Sequence, residues 1–240
     1  MSIKGKTVLI TGAGVRVGRS MALACARAGA NLIVHYGRSD EEAKEVHSEA
    51  RDLGVEAYLH QADLSKVEDC QRLIEEAWEH GPLFALVNSA SIFQDIELED
   101  TTAENWDLHM AINLRAPMLL SQAFARKLGA DEGRIVNILD WRALRPGPDH
   151  LPYTISKAGL AALTSSLAIA LAPAITVNGM AFGAILPPAD GGDTSGILDD
   201  VPAKRWADLD EVNQTLLFFL EGPAYVTGEI IHVDGGRHLI

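Results

Sequence analysis

The chain has 240 residues, 48% of them hydrophobic, which suits one large α/β domain with a sizeable core. Its formal net charge is −13, and no basic block or aromatic–basic interleaving offers a groove for nucleic acid. Cys25 and Cys70 stand too far apart for a metal knuckle or a disulfide framework, and the N-terminal MSIKGK lacks a signal-peptide apolar region, so a reducing cytoplasm is expected.

The elements follow in chain order. A strand over 7–10 leads through TGAGVRVG into an Ala-rich helix over 15–28. Such a turn aims backbone N–H groups and a helix N-terminus at a phosphate, and Gly12 and Gly18 permit the tight turn and the close helix–strand approach. A second strand over 31–35 ends in HYGRSD. A preference for NAD would call for an acid near Tyr36–Gly37 to bind the ribose 2′-OH. None is there. Arg38 and Ser39 follow instead, a cation and a hydroxyl suited to a 2′-phosphate, and they predict NADP(H). A solvated loop arginine is the competing reading of Arg38. After a helix over 40–53 and a strand over 57–60, Asp63 in QADLS either binds the adenine amino group or serves as a helix N-terminal acid.

Further helices are expected over 66–79, 104–128, 153–171 and 209–220, and strands over 84–88, 134–139, 175–178 and 229–233. The strands are continuous apolar runs, as when helices cover both faces of a sheet. The β–α alternation predicts a single Rossmann-like doubly wound domain over 1–240, with a mainly seven-stranded parallel sheet flanked by helices. The longest apolar stretch, 158–175, contains Thr164, Ser165, Ser166 and Pro173 and reads as a buried or subunit-facing helix, not a membrane span. The Pro/Gly/Asp-rich segment 184–206 breaks the rhythm and reads as a substrate lid, with a merely decorative insertion as the alternative. No metal-ligand spacing is present, so no metal is expected.

YTISK places Tyr153 and Lys157 at i and i+4 on one helix face, where an ammonium near a phenol favours phenolate. Together with the glycine turn, NSA after the fourth strand and INL at Asn113, this motif makes the chain resemble the short-chain dehydrogenase/reductase family along essentially its whole length. The resemblance implies an Asn–Ser–Tyr–Lys tetrad matched by Asn113, Tyr153 and Lys157, with Asp140 of NILD where the serine is expected. It also implies cofactor contacts at Gly12, Gly14, Val17, Gly18, Tyr36, Leu64, Asn88, Ser89, Ala90 and Gly183, besides Arg38, Ser39, Asp63, Tyr153 and Lys157, and a homotetramer.

The departures from the family pattern are informative. Arg16 replaces the middle glycine of TGxxxGxG, and NNAG becomes NSAS at 88–91. With HYGRS, QADLS, NSASIF and DGGRHL, these features look like the pteridine reductase branch, including bacterial dihydromonapterin reductases. By that resemblance Arg16 bridges cofactor phosphate and substrate, while Ser91 and Phe93 contact a pterin, Phe93 by stacking. A core aromatic at a loop start is the plainer reading of Phe93. MAFGAIL departs from the family's usual Pro-Gly pair after the sixth strand, with Phe182 in the place of the proline. The C-terminal DGGRHLI is expected along a subunit boundary, bringing Arg237 or His238 near a neighbouring site.

An ionised Asp140 beside Tyr153 opposes loss of the phenolic proton, because like charges at short range disfavour each other. Tyr153 is therefore expected to act as a proton donor in reduction. A structural carboxylate held by backbone amides is the alternative for Asp140. The leading expectation is an NADPH-dependent reductase of dihydropterins. A carbonyl or 3-oxoacyl reductase comes second, lacking its serine. A non-catalytic NADP(H)-sensing regulator comes third, and would need neither Tyr153, Lys157 nor Asn113.

Overall fold

A computed structural model describes residues 2–187, 191 and 194–240. Its strands are β1 (Thr7–Ile10), β2 (Asn31–Tyr36), β3 (Ala57–Gln61), β4 (Leu83–Asn88), β5 (Gly133–Asp140), β6 (Ile175–Phe182) and β7 (Ile230–Val233). They form one sheet in the order β3-β2-β1-β4-β5-β6-β7, parallel throughout. β1, β4 and β6 are buried from end to end, the physical reason their sequences do not alternate.

Helices α1 (Arg16–Arg27), α2 (Asp40–Asp52) and α7 (Leu209–Glu221) cover one face, meeting it through residues such as Met21, Val46 and Leu216. Helices α3 (Val67–Glu79), α5 (Ala116–Leu128) and α6 (Leu151–Ala170) cover the other, through Leu73, Phe124 and Ala168. The chain order reverses between the neighbours β1 and β4, and a crevice outside the strand C-termini is expected there.

The single helix expected over 104–128 is corrected. The chain makes α4 (Ala103–Met110), then a π turn over Ala111–Arg115, then α5. The Ala116 N–H reaches back to Ala111 O, five residues away. β5 and β6 run farther than expected, in register to Asp140 opposite Phe182, which carries both side chains to the sheet's rim. α6 starts at Leu151 with Pro152 in its first turn, where the missing N–H costs nothing.

Of the segment read as a lid, Pro188, Ala189, Asp190, Gly192 and Asp193 lie outside the described residues. Its base is closed by the Ala207 N–H donating to Ala184 O at 3.0 Å. Among the described residues no helix is long and apolar enough to cross a membrane.

Candidate active site

The glycine turn is shaped by contacts that tolerate no side chain. A Cβ on Gly12, whose φ is +67°, would lie 2.9 Å from Ala90 Cα. One on Gly14 would lie 2.8 Å from Ser39 Oγ, and one on Gly18 would run into the Gly12 carbonyl. The turn is thereby pressed against the end of β4 on one side and the loop after β2 on the other. Thr11 reinforces the first contact, its Oγ1 accepting from the Ser89 and Ala90 N–H groups at 2.9 and 3.0 Å. α1 opens without a side-chain cap and without acids in its first turn, leaving its leading N–H groups to an anion.

Arg16 sits at φ +52°, in the left-handed region where glycine is at ease. Its Nη2 donates to Pro187 O at 2.7 Å, tying the turn to the first residues of the 184–206 segment.

A cleft of about 930 Å³ opens along this turn and across the C-terminal ends of β4 and β5. Of the residues expected at the site, its walls contain Gly12, Arg16, Val17, Gly18, Arg38, Ser39, Asp63, Leu64, Ser89, Ala90, Ser91, Phe93, Asp140, Tyr153, Lys157 and Gly183. Four expected residues are not on the wall. Gly14 serves the turn's approach to Ser39, and Tyr36 is buried with its hydroxyl bonded to Asp40. Asn88 is buried and donates to Asn137 Oδ1 at 2.8 Å. Asn113 lies in the π turn, fully buried. Its Oδ1 accepts from Ile92 N (2.9 Å) and Ser91 Oγ (3.1 Å), and its Nδ2 donates to Ile92 O and Ser156 Oγ, both at 3.0 Å. Asn113 thus locks the loop after β4 to α6.

His35 was absent from the expected site. In β2 it is 2% exposed and lines the cleft. Its Nδ1 accepts from the Gly12 N–H at 3.1 Å, so Nε2 carries the proton and donates to Ala62 O, also at 3.1 Å. Burial pushes its pKa down to about 4. The one available signal was a histidine directly after the apolar run Leu32, Ile33 and Val34 of β2.

Asp63 uses its Oδ1 to accept from Ser65 N and Oγ at 3.0 and 2.7 Å, a local turn that leaves Asp63 on the cleft wall.

At the other end of the cleft, Tyr153 OH donates to Asp140 Oδ2 at 3.2 Å. Asp140 Oδ1 accepts from the Arg142 N–H at 2.9 Å, and the Arg142 guanidinium is clamped by Asp149, with Nη2 at 2.6 Å. Burial raises the Asp140 pKa against the pull of Arg142 and Lys157. Tyr153 is pushed well above 10 by burial and by the Asp140 charge. Lys157 donates its Nζ to Ile138 O at 2.7 Å, and burial lowers it to about 8.

The Lys157 Nζ lies 5.7 Å from the Tyr153 ring centroid. Burial and the Asp140 charge favour the protonated phenol, the direction expected of a proton donor. Phe93 stacks on His150 (centroids 4.2 Å apart) and meets Tyr153 edge-on at 4.6 Å, while remaining 56% exposed. The core-aromatic reading of Phe93 is therefore dropped. The guanidinium groups of Arg237 and Arg142 both lie over the Trp141 ring, at 4.6 and 4.8 Å from its centroid.

The family profile described as enoyl-(acyl carrier protein) reductase matches residues 12–238. The 3-oxoacyl-(acyl-carrier-protein) reductase of Staphylococcus epidermidis is 31% identical over 242 residues, which cover 98% of this chain and 99% of that protein. The solved structure of FolM alternative dihydrofolate reductase 1 from Brucella canis, complexed with NADP, is 34% identical with a TM-score of 0.92, covering 100% of this chain and 97% of that one. A blue fluorescent protein from a metagenomic library, in complex with NADPH, is 30% identical with a TM-score of 0.92 and covers 99% of each chain.

Proposed function

Because the chain belongs to the short-chain dehydrogenase/reductase family, we propose that this oxidoreductase reduces dihydropterins to tetrahydropterins with NADPH. The cofactor is NADP(H), and the bare glycine turn, the uncapped start of α1 and the Arg38–Ser39 pair fit it. Gly12, Val17 and Gly18 would hold its phosphates, Arg38 and Ser39 its 2′-phosphate, and Asp63 and Leu64 its adenine. Ser89, Ala90 and Gly183 would line the path toward the nicotinamide. When bound, the reduced nicotinamide supplies the hydride.

The chain's own residues handle the proton. Tyr153 holds it on the phenol across the working range and releases it to the nitrogen of a C=N bond as that nitrogen gains electron density. Asp140, 3.2 Å away, keeps the phenol oriented and protonated. Phe93 offers a flat apolar surface at the cleft mouth, and Ser91 and Arg16 offer polar contacts to a pterin edge.

The observation that carries the reading is the Asp140–Tyr153 hydrogen bond where a serine would otherwise stand. The dihydrofolate reductase activity in the name of the Brucella canis relative supports it. A 3-oxoacyl reductase is the second reading, favoured by the Staphylococcus epidermidis relative and opposed by the missing serine. A non-catalytic NADP(H) sensor is opposed by the ordered Asn113, Tyr153 and Lys157. NADPH oxidation with dihydrobiopterin or dihydromonapterin, against ketones and acyl thioesters, tests all three. Turnover of acyl thioesters alone would overturn the pterin reading, and no turnover of any would favour the sensor.

The 184–206 segment, joined to Arg16 through Pro187, is the proposed lid. A homotetramer is proposed as the assembly, consistent with exposed apolar residues such as Ile169 and Phe218.

A further inference from the structure

Away from the cleft, β3 and the end of α3 bring two imidazoles together. His60 Nε2 and His80 Nε2 are 3.1 Å apart. Glu76 Oε2 lies 3.3 Å from His60 Nδ1, so the carboxylate keeps the proton there and leaves the Nε2 lone pair facing His80. The His80 ring is stacked on Tyr58, with centroids 3.7 Å apart and planes within 10°, which fixes its direction.

We propose that this pair binds one late first-row divalent ion of the Cu²⁺, Ni²⁺ or Zn²⁺ class through its two Nε2 atoms, with water completing the coordination. Imidazole nitrogen suits these ions. With metal–nitrogen bonds of about 2.0–2.1 Å, a 3.1 Å separation corresponds to an angle of about 100° at the metal, between the tetrahedral and octahedral values.

Glu76 stands where a carboxylate orients a ligating histidine from its far nitrogen, and Arg72 Nε holds Glu76 Oε1 at 3.4 Å. Glu79 adds its attraction for a cation at His80, and the chain's net charge of −13 acts the same way. Both rings are oriented before an ion arrives, so little ordering opposes binding. Among the described residues no group of three or more His, Cys, Asp or Glu side chains is placed to hold a metal. This is therefore a two-ligand site, and its occupancy ties the sheet's edge strand to the end of α3.

The rival arrangement is a plain N–H···N hydrogen bond with no affinity for metal. Full-length protein stripped with a chelator and titrated with CuCl₂ separates the two. The expected result is one Cu²⁺ per chain, with a paramagnetic resonance spectrum split by two nitrogens. That signal should disappear in His60→Gln and His80→Gln, and Glu76→Gln should bind about tenfold more weakly. Unchanged NADPH binding in His80→Gln reports that the variant folds. Thermal stability should rise with ZnCl₂ in the wild type and not in His80→Gln.

Among the described residues, His232 and His238 form a second close imidazole pair, with centroids 3.8 Å apart. Uptake that survives His80→Gln, that is lost instead in His238→Gln, or that never reaches one ion per chain would overturn the proposal.

Discussion

His35 makes a prediction independent of substrate. In the folded chain it must stay neutral, because Nδ1 accepts from Gly12 and burial forbids a charge. Its pKa falls from 6.5 to about 4, with burial the largest cause and the His60 charge adding to it against the Ala62 hydrogen bond. Between those values the unfolded chain takes up a proton that the folded chain refuses. The contribution to stability is therefore complete above pH 6.5 and is lost as pH falls toward 4.

The gap of about 2.5 pH units, at about 1.4 kcal/mol per unit, is worth about 3 kcal/mol. His35→Gln keeps a donor and an acceptor but has nothing to titrate. Urea unfolding in chelator-containing buffer should show the wild type losing about 1.4 kcal/mol per pH unit more than the variant across that window. Parallel pH profiles for the two proteins would refute a neutral, buried His35 clamped between Gly12 and Ala62.

Arg38→Ala should raise the KM for NADPH by on the order of tenfold to a hundredfold, as one charge-assisted contact is lost, and the KM for NADH far less. Equal losses in steady-state kinetics would remove the 2′-phosphate assignment. Phe93→Ala should weaken dihydropterin binding by on the order of 1–3 kcal/mol while leaving the NADPH dissociation constant in place, both read by fluorescence titration. Asp140→Ser removes a charge that raises the Tyr153 pKa, so the alkaline limb of the kcat profile should move to lower pH and kcat for the pterin should drop by on the order of a hundredfold. An unmoved limb would detach Asp140 from the phenol. Sedimentation at micromolar concentration should give a tetramer, and a monomer would exclude the proposed assembly.

The sheet was legible in the sequence because burial on both faces writes itself as unbroken apolar runs such as TVLI and LFALVN. The glycine turn along the cleft was legible because glycine spacing reflects backbone contact, as Gly12 against Ala90 illustrates. The helix over 104–128 was misread because its periodicity continues through Asn113. Only bonds to Ile92 and Ser156, 21 and 43 residues away, reveal the break. His35 escaped notice for the same reason, its partners lying 23 and 27 residues off in opposite directions along the chain. The Arg142–Asp149 clamp that steadies the Asp140 loop has no spacing signature at all.

The π turn at Ala111–Arg115 has a consequence for tolerance to insertion and deletion. Each residue removed from a helix rotates everything beyond the cut by about 100° and draws it back by about 1.5 Å. Removing one residue just before Asn113 would let α4 and α5 fuse into regular α-helix, and local propensity would welcome the change. The same edit would turn the amide away from Ile92 and Ser156, freeing the loop that carries Ser91 and Phe93. A length change that secondary-structure preference rewards would thus loosen the Ser91–Phe93 wall of the cleft.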